Sequence, residues 1–445
     1  MLKIVLISTY DLGRQPFGLA SPAAWLRADG HDVTCIDLAV SPMPRAAVSE
    51  ADLVAFFLPM HTATRLATRA IERVRTLNSA AKLCCYGLYA PMNEPYLREL
   101  DVETVLGGEF ETALCHLAQR LAEGQNVRQR EPLISLERQQ FLAPDRAGLP
   151  SLRRYAKLLA NGEERITGYT EASRGCKHLC RHCPVVPVYK GTFRVIDRGI
   201  VLEDIRRQVA DGAQHLTFGD PDFFNGPGHA MAIVEALHTE HPHLTYDVTI
   251  KIEHLLRYRE LLGALKRTGC LFVTSAVESI DDAVLENLAK GHTRADFIEA
   301  VRLIREVGLT LAPTFITFTP WTTWGGYREL LELLAELDLV ENVGPIQLAM
   351  RLLIPAGSRL LELAEIRQMI GPFDPAALAY TWRHADPSLD KLCSQAQTLI
   401  KREEKLKSPR AKIFAGIWEL AHGHAPDFHI ASRATIPYLN EPWYC

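Results

Sequence analysis

The chain has no apolar run long enough to cross a bilayer. Its longest, such as LVAFFLPM, fall far short of the roughly 20 residues a helical span needs. It also lacks an excess of charge of either sign. There are 49 Lys and Arg against 53 Asp and Glu, a formal net charge of −4, and the two signs are interspersed. That leaves no basic footprint for nucleic acid and no polybasic membrane anchor. Cysteine is sparse, ten in 445 residues, and most are scattered, which argues against a disulfide scaffold and for a reducing cytoplasm. The opening MLKIVLISTYD has no small-residue cleavage pattern, so it reads as a first strand rather than a signal peptide. There is no internal repeat and no low-complexity tract.

What is present is a strand–helix rhythm. A chain of 445 residues is expected to form two or three domains. Residues 1–125 give five short apolar strands (KIVLIST, VTCIDL, LVAFFLPM, KLCCYGLY, TVLGGEF) separated by helix-length segments. This predicts a doubly wound α/β domain with a parallel sheet, which binds ligands beyond the carboxyl ends of its strands. Residues 126–160, rich in Gln, Arg and Pro, read as a linker. Residues 161–356 resume the rhythm with six strand candidates, ITGYTEAS to PIQLAMRLLIP. That number suits a partial (β/α)6 barrel better than a complete eightfold one. Residues 357–445 read as a helical C-terminal region and tail.

Three cysteines close together, Cys176, Cys180 and Cys183 in SRGCKHLCRHCPV, carry the chemistry. Their C-x-x-x-C-x-x-C spacing supplies three thiolates, one fewer than a closed four-ligand site needs. A 4Fe-4S cluster held by three thiolates keeps one iron open. A Cys3His zinc knot using His178 or His182, or plain thiols in a turn, would satisfy the same spacing.

The cysteine spacing, placed after the first strand of an α/β array, resembles the radical S-adenosylmethionine (radical SAM) enzymes, in which the open iron chelates the amino and carboxylate groups of that cofactor. The resemblance implies further site residues. In Gly219-Asp220-Pro221-Asp222, after the second barrel strand, Asp220 or Asp222 would meet the cofactor's amino group. Glu278, in a segment similar to the family's Gly-hydrophobic-Glu-Ser, would face the ribose. His182, before the third cysteine, takes the place of an aromatic residue stacking near the adenine. Arg351 is a candidate for binding a carboxylate. Lys290 and His292 in KGHTRADF read as structural, with Thr293 capping the next helix.

The N-terminal domain resembles the cobalamin-binding domain that precedes the barrel in a large radical SAM subgroup, and Gly107-Gly108-Glu109-Phe110-Glu111 is similar to its terminal Gly-Glu-x-Glu segment. The D-x-H-x-x-G motif whose histidine ligates cobalt is absent, and His61 is a poor substitute by position. Relatives lacking that histidine still bind the cofactor, so cobalamin stays open. The tail Glu441-Pro442-Trp443-Tyr444-Cys445 resembles a radical SAM group named for a Cys-Cys or Cys-selenocysteine pair followed by Ala-Glu-Pro. That pair is missing here, and Cys445 remains a candidate thiol.

The resemblance thus implies a cytoplasmic enzyme that cleaves S-adenosylmethionine reductively and modifies a small-molecule substrate, with an electron donor such as flavodoxin or ferredoxin. Methyl transfer is its leading version if cobalamin binds. The alternatives are transfer of a 3-amino-3-carboxypropyl radical and a non-catalytic zinc-binding module. Methylthiotransfer is disfavoured, because Cys35, Cys84, Cys85 and Cys115 lack the spacing of a second cysteine triplet.

Overall fold

Alternation along the first strands explains the N-terminal architecture. In β1 (Lys3–Ser8), Val5 and Ile7 enter one apolar core while Ile4 and Leu6 enter another on the opposite face. Both faces therefore need helical cover. The helix His61–Leu77 supplies Ala67, Ile71 and Val74 to one face. The helices Phe17–Ala28 and Glu111–Ala122 supply Leu19, Leu26, Leu114 and Leu117 to the other. The remaining strands are β2 (Asp32–Asp37), β3 (Leu53–Phe57), β4 (Lys82–Tyr86), β5 (Thr104–Gly108) and β6 (Ile134–Ser135). They pair in parallel in the order β2-β1-β3-β4-β5-β6. The order reverses at β1, so a crevice opens beyond the carboxyl ends of β1 and β3.

The computed structural model describes residues 1–126, 128–428 and 437–440. Its second sheet has the order β14-β13-β12-β11-β8-β7-β17. Here β7 is Lys157–Ala160, β8 Glu163–Thr170, β11 His215–Phe218, β12 Thr245–Thr249, β13 Cys270–Glu278, β14 Thr310–Phe315 and β17 Tyr438–Leu439. Strands β8, β11, β12, β13 and β14 are parallel, with helices between them, and form the partial barrel. Strands β7 and β17 extend the β8 edge in antiparallel fashion. Between β8 and β11, the short strands β9 (Ser173–Gly175) and β10 (Phe193–Val195) pair antiparallel and close the base of the cysteine loop.

Two expectations need correction, and a third, the helical C-terminal region, holds. The sixth barrel strand is not formed: Pro345–Ala349 is a 3-10 turn, and only the bridge between Phe318 and Arg351 remains. The segment read as a linker is sewn into both domains. It contributes β6, and Arg146 donates from Nε and Nη2 to the Asp204 carboxylate at 2.9 Å each, from Nη1 to Gln15 and from Nη2 to the Tyr169 carbonyl. These partners are remote in sequence, so composition could not reveal them. The C-terminal region is helical at Pro387–Lys405 and Arg410–His422, which pack into the barrel core. A hairpin of β15 (Ile370–Asp374) and β16 (Ala379–Trp382) precedes them. Residues 441–445, with Cys445, lie outside the described residues. No helix among the described residues is long and apolar enough to cross a membrane.

Candidate active site

The cysteine loop leaves β9 through Gly175, which no other residue replaces freely. Its φ is +76°, and a Cβ there would sit 2.4 Å from both the Thr192 carbonyl oxygen and the Tyr189 ring. Beyond it, Cys176 and Cys180 are buried and Cys183 is half-buried, packed with Val185, Val188 and Tyr189. Burial pushes the Cys183 thiol up to about 12 and raises Cys176 as well. A thiolate there needs a cation to form.

The geometry suits a cluster better than a single zinc ion. A tetrahedral zinc with bonds of about 2.3 Å would draw three thiolates to about 3.8 Å of one another. Among the described residues the three Sγ atoms do not all fall within 4.8 Å. Both loop histidines are also committed elsewhere: His178 Nε2 lies 3.1 Å from Asp222 Oδ2, and His182 Nε2 lies 3.1 Å from Glu278 Oε1. A Cys3His knot is not assembled, whereas three spaced thiols in an apolar pocket fit a larger cluster.

The carboxyl ends of the barrel strands place the expected acids around this loop. Asp220, after β11, accepts from the Ser173 hydroxyl at 2.5 Å and from the Ala172 N–H at 2.9 Å. It thus ties the strand end to β9. Burial raises its carboxyl to about 7 against those hydrogen bonds. Asp222, fully buried, faces His178 and, at 2.6 Å, His254 Nδ1. Burial would raise its carboxyl, but these two imidazoles outweigh that and hold it at about 2.

Glu278 ends β13 with φ +69°, a left-handed conformation uncommon outside glycine that turns its side chain toward the loop. Burial again opposes its charge. The Lys290 ammonium, 3.7 Å away, and then the His182 contact win and hold it at about 2. Lys290, read from sequence as structural, therefore belongs to this cluster. Burial, then Lys290 and Lys251, push His292 down to about 4.

Several buried polar atoms here have no partner among the described residues: Asn225 Nδ2, His182 Nδ1, Ser275 Oγ and both nitrogens of His292. Such orphans are rare in a finished core and fit a site that completes its hydrogen bonds with a polar ligand.

Arg351 does not offer a free fork. Its Nη1 donates to Asp390 at 2.6 Å and its Nη2 to the Trp382 carbonyl at 2.8 Å, and its guanidinium stacks 3.6 Å from the Trp382 ring centroid. It fastens the last barrel segment to the C-terminal region. His61 is likewise engaged, its Nε2 lying 2.6 Å from the Ala377 carbonyl oxygen.

Sequence reading missed Arg174, immediately before Gly175. Its guanidinium sits 2.7 Å from Glu111 Oε1, 2.8 Å from Glu171 and 3.3 Å from Glu109. It also missed Lys251, Glu253 and His254 after β12, which carried no motif signal.

Residues 170–334 match the radical SAM superfamily. The chain carries a radical SAM domain. That superfamily uses a 4Fe-4S cluster and S-adenosylmethionine, and Cys176, Cys180 and Cys183 lie within the matched residues. The chain is 26% identical over 326 residues to the hopanoid C-3 methylase of Methylococcus capsulatus, covering 69% of itself and 62% of that relative. It therefore spans about three fifths of the relative's length.

Two solved structures share the fold. The cobalamin-dependent S-adenosylmethionine radical enzyme OxsB with aqua-cobalamin bound superposes with a TM-score of 0.67 at 15% identity, over 90% of this chain and 67% of OxsB. The radical S-adenosylmethionine methyltransferase TsrM from Kitasatospora setae, with cobalamin and a [4Fe-4S] cluster bound, gives 0.58 at 18% identity, over 76% and 71%. The radical SAM domain here is thus followed by C-terminal helices and preceded by a doubly wound domain, as the sequence reading expected.

Proposed function

We propose that the protein is a cobalamin-binding radical SAM enzyme that transfers a methyl group to a small-molecule substrate. One observation carries this reading: the crevice of the doubly wound domain opens onto the cysteine loop. A cleft of about 230 Å³ lies between Leu12, Met60, Leu88 and Phe110, beyond strands of the N-terminal sheet, and Tyr169, Arg174 and Val185 of the radical SAM domain. Its floor is apolar, with Phe57, Tyr86 and Phe110 clustered beneath it. Asp11, Arg14, Glu171 and Ser173 supply a polar rim.

In kind this lining fits a broad macrocycle with amide side chains. Among the described residues no histidine lines the cleft, so cobalamin would be held without an imidazole beneath the cobalt. The cleft is narrower than a corrinoid, so binding requires Leu12, Met60 or Leu88 to move aside. The methylase among the relatives and the two cobalamin-bound structures support the same assignment.

When bound, the cluster and S-adenosylmethionine supply one-electron reduction and carbon–sulfur cleavage, and cobalamin supplies a methyl carrier. The chain's own residues bind and orient. Glu278, kept ionised by Lys290, accepts from the ribose hydroxyls. Asp220 fixes the strand end beside the amino group. Tyr189 and Val185 keep the cysteine loop dry. The orphaned ring nitrogens of His182 and His292 offer the nucleoside a donor or an acceptor according to tautomer. An electron donor of the flavodoxin or ferredoxin class reduces the cluster. We place the enzyme in a reducing compartment such as the cytoplasm, which suits the nine unpaired cysteines among the described residues.

The deciding measurement is the corrinoid content and electron paramagnetic resonance (EPR) spectrum of anaerobically purified protein. Stoichiometric cob(II)alamin without nitrogen splitting is expected, unchanged in His61→Ala. Failure to bind any corrinoid, with S-adenosylmethionine still cleaved, would leave the radical SAM assignment and remove methyl transfer through cobalamin.

A further inference from the structure

Beside the cysteine loop lies a second set of metal-ligating atoms, separate from the three thiols. His178 sits between Cys176 and Cys180, Asp222 follows β11, and His254 lies on the helix Ile252–Arg257 after β12. One ligand atom from each falls within 4.8 Å of the other two. No other such trio of histidine, cysteine or acidic side chains occurs among the described residues. Asp222 and His254 are buried, and the two imidazole centroids are 4.6 Å apart.

A carboxylate hydrogen-bonded by two imidazoles would explain part of this. His254 Nδ1 does not fit that explanation. It approaches Asp222 Oδ2 to 2.6 Å as an ion-pair contact without the alignment of a hydrogen bond, so this buried ring nitrogen is aimed into the trio. The outer surroundings agree. Glu253 Oε2 lies 3.6 Å from His178 Nδ1, the nitrogen on the far side of the ring. A carboxylate there is the usual orienting partner of a metal-bound histidine.

We infer that His178, Asp222 and His254 form a mononuclear site for a divalent transition-metal ion of the zinc or ferrous class, distinct from the cysteine ligands. Two imidazoles and one carboxylate suit those ions better than calcium or magnesium, which prefer all-oxygen shells. Three protein ligands leave a coordination position for water or another donor. The ion ties the loop between the first two cysteines to the ends of β11 and β12, so it acts as a brace for the cluster loop. The inference does not depend on methyl transfer or on cobalamin.

The test is made on the full chain. Reconstituted wild type is expected to hold one ion per chain beyond the irons of its cluster. With zinc supplied, X-ray absorption should show a shell of nitrogen and oxygen only. In the full-length Cys176→Ala/Cys180→Ala/Cys183→Ala variant, titration with cobalt(II) should still give one visible-absorbing site per chain. Adding Asp222→Asn or His254→Gln should abolish it, with circular dichroism confirming a folded chain. Glu253→Gln, outside the inner ligands, should weaken the affinity about 10–100-fold. Absence of a stoichiometric ion from both proteins overturns the inference, and so does a sulfur shell around the zinc. Cobalt binding that persists undiminished in both Asp222→Asn and His254→Gln overturns it as well.

Discussion

Arg174 Nη2 lies 2.7 Å from Glu111 Oε1, although the two residues belong to different domains. The same guanidinium is 3.3 Å from Glu109 and sits over the rings of Phe17, Phe110 and Phe141. One residue upstream of Gly175, it clasps the closing segment of the doubly wound domain to the root of the cysteine loop. This contact and that of Arg146 with Asp204 both tie the interdomain cleft to the cysteine loop's domain.

Replacing Arg174 with Gln leaves Glu109, Glu111 and Glu171 without their shared cation. Breaking a buried pair from one side costs about 3–5 kcal/mol. Anaerobic urea unfolding should show a loss of that order, and Glu111→Gln in the same background should recover part of it. An Arg174→Gln protein as stable as wild type would show that the clasp contributes nothing.

Gly175→Ala should damage the cysteine loop directly. The left-handed φ costs about 1–2 kcal/mol for a residue with a Cβ, and that Cβ meets backbone at Thr192. Iron retained per chain after reconstitution should fall, while Gly124→Ala, also at positive φ but with open space around it, should leave iron content unchanged.

Glu278→Gln removes a charge that Lys290 and His182 are arranged to hold. Hydrogen bonds to a charged group are worth about 1.5–3 kcal/mol, so S-adenosylmethionine affinity should drop about 10–100-fold. The cluster's visible spectrum should be retained, because no cysteine is disturbed. A variant that binds S-adenosylmethionine as tightly as wild type would remove Glu278 from the ribose role.

Stability should depend on pH in two windows of opposite sign. Glu278 and Asp222, both held at about 2 from ordinary values of 4.5 and 3.8, stabilise the fold fully above those values. That contribution disappears as pH falls through about 2. Asp220, raised from 3.8 to about 7, does the reverse. Its contribution is fully present below about 3.8 and is lost as pH rises through about 7. The unfolding free energy should therefore decline between those limits by up to about 1.4 kcal/mol per pH unit from this group. Asp220→Asn should flatten the slope, which denaturant titrations at several pH values would detect.

The sequence by itself determined most of the elements and marked the three candidate cluster ligands. Alternation in KIVLIST and the unbroken apolar run LVAFF dictate a sheet covered on both faces, and C-x-x-x-C-x-x-C can be read without coordinates because all three ligands lie within one loop. It overreached at PIQLAMRLLIP, whose apolar content suggests a strand while Pro345 opens a 3-10 turn. It undervalued Lys290, whose role exists only because β13 delivers Glu278 beside it. Arg174 finds Glu109 and Glu111 more than sixty positions upstream, and His254 meets His178 only because β12 and the cysteine loop end at the same rim of the barrel. Such pairings depend on where strands terminate in space. Local periodicity carries no trace of that, and only the tertiary structure decided them.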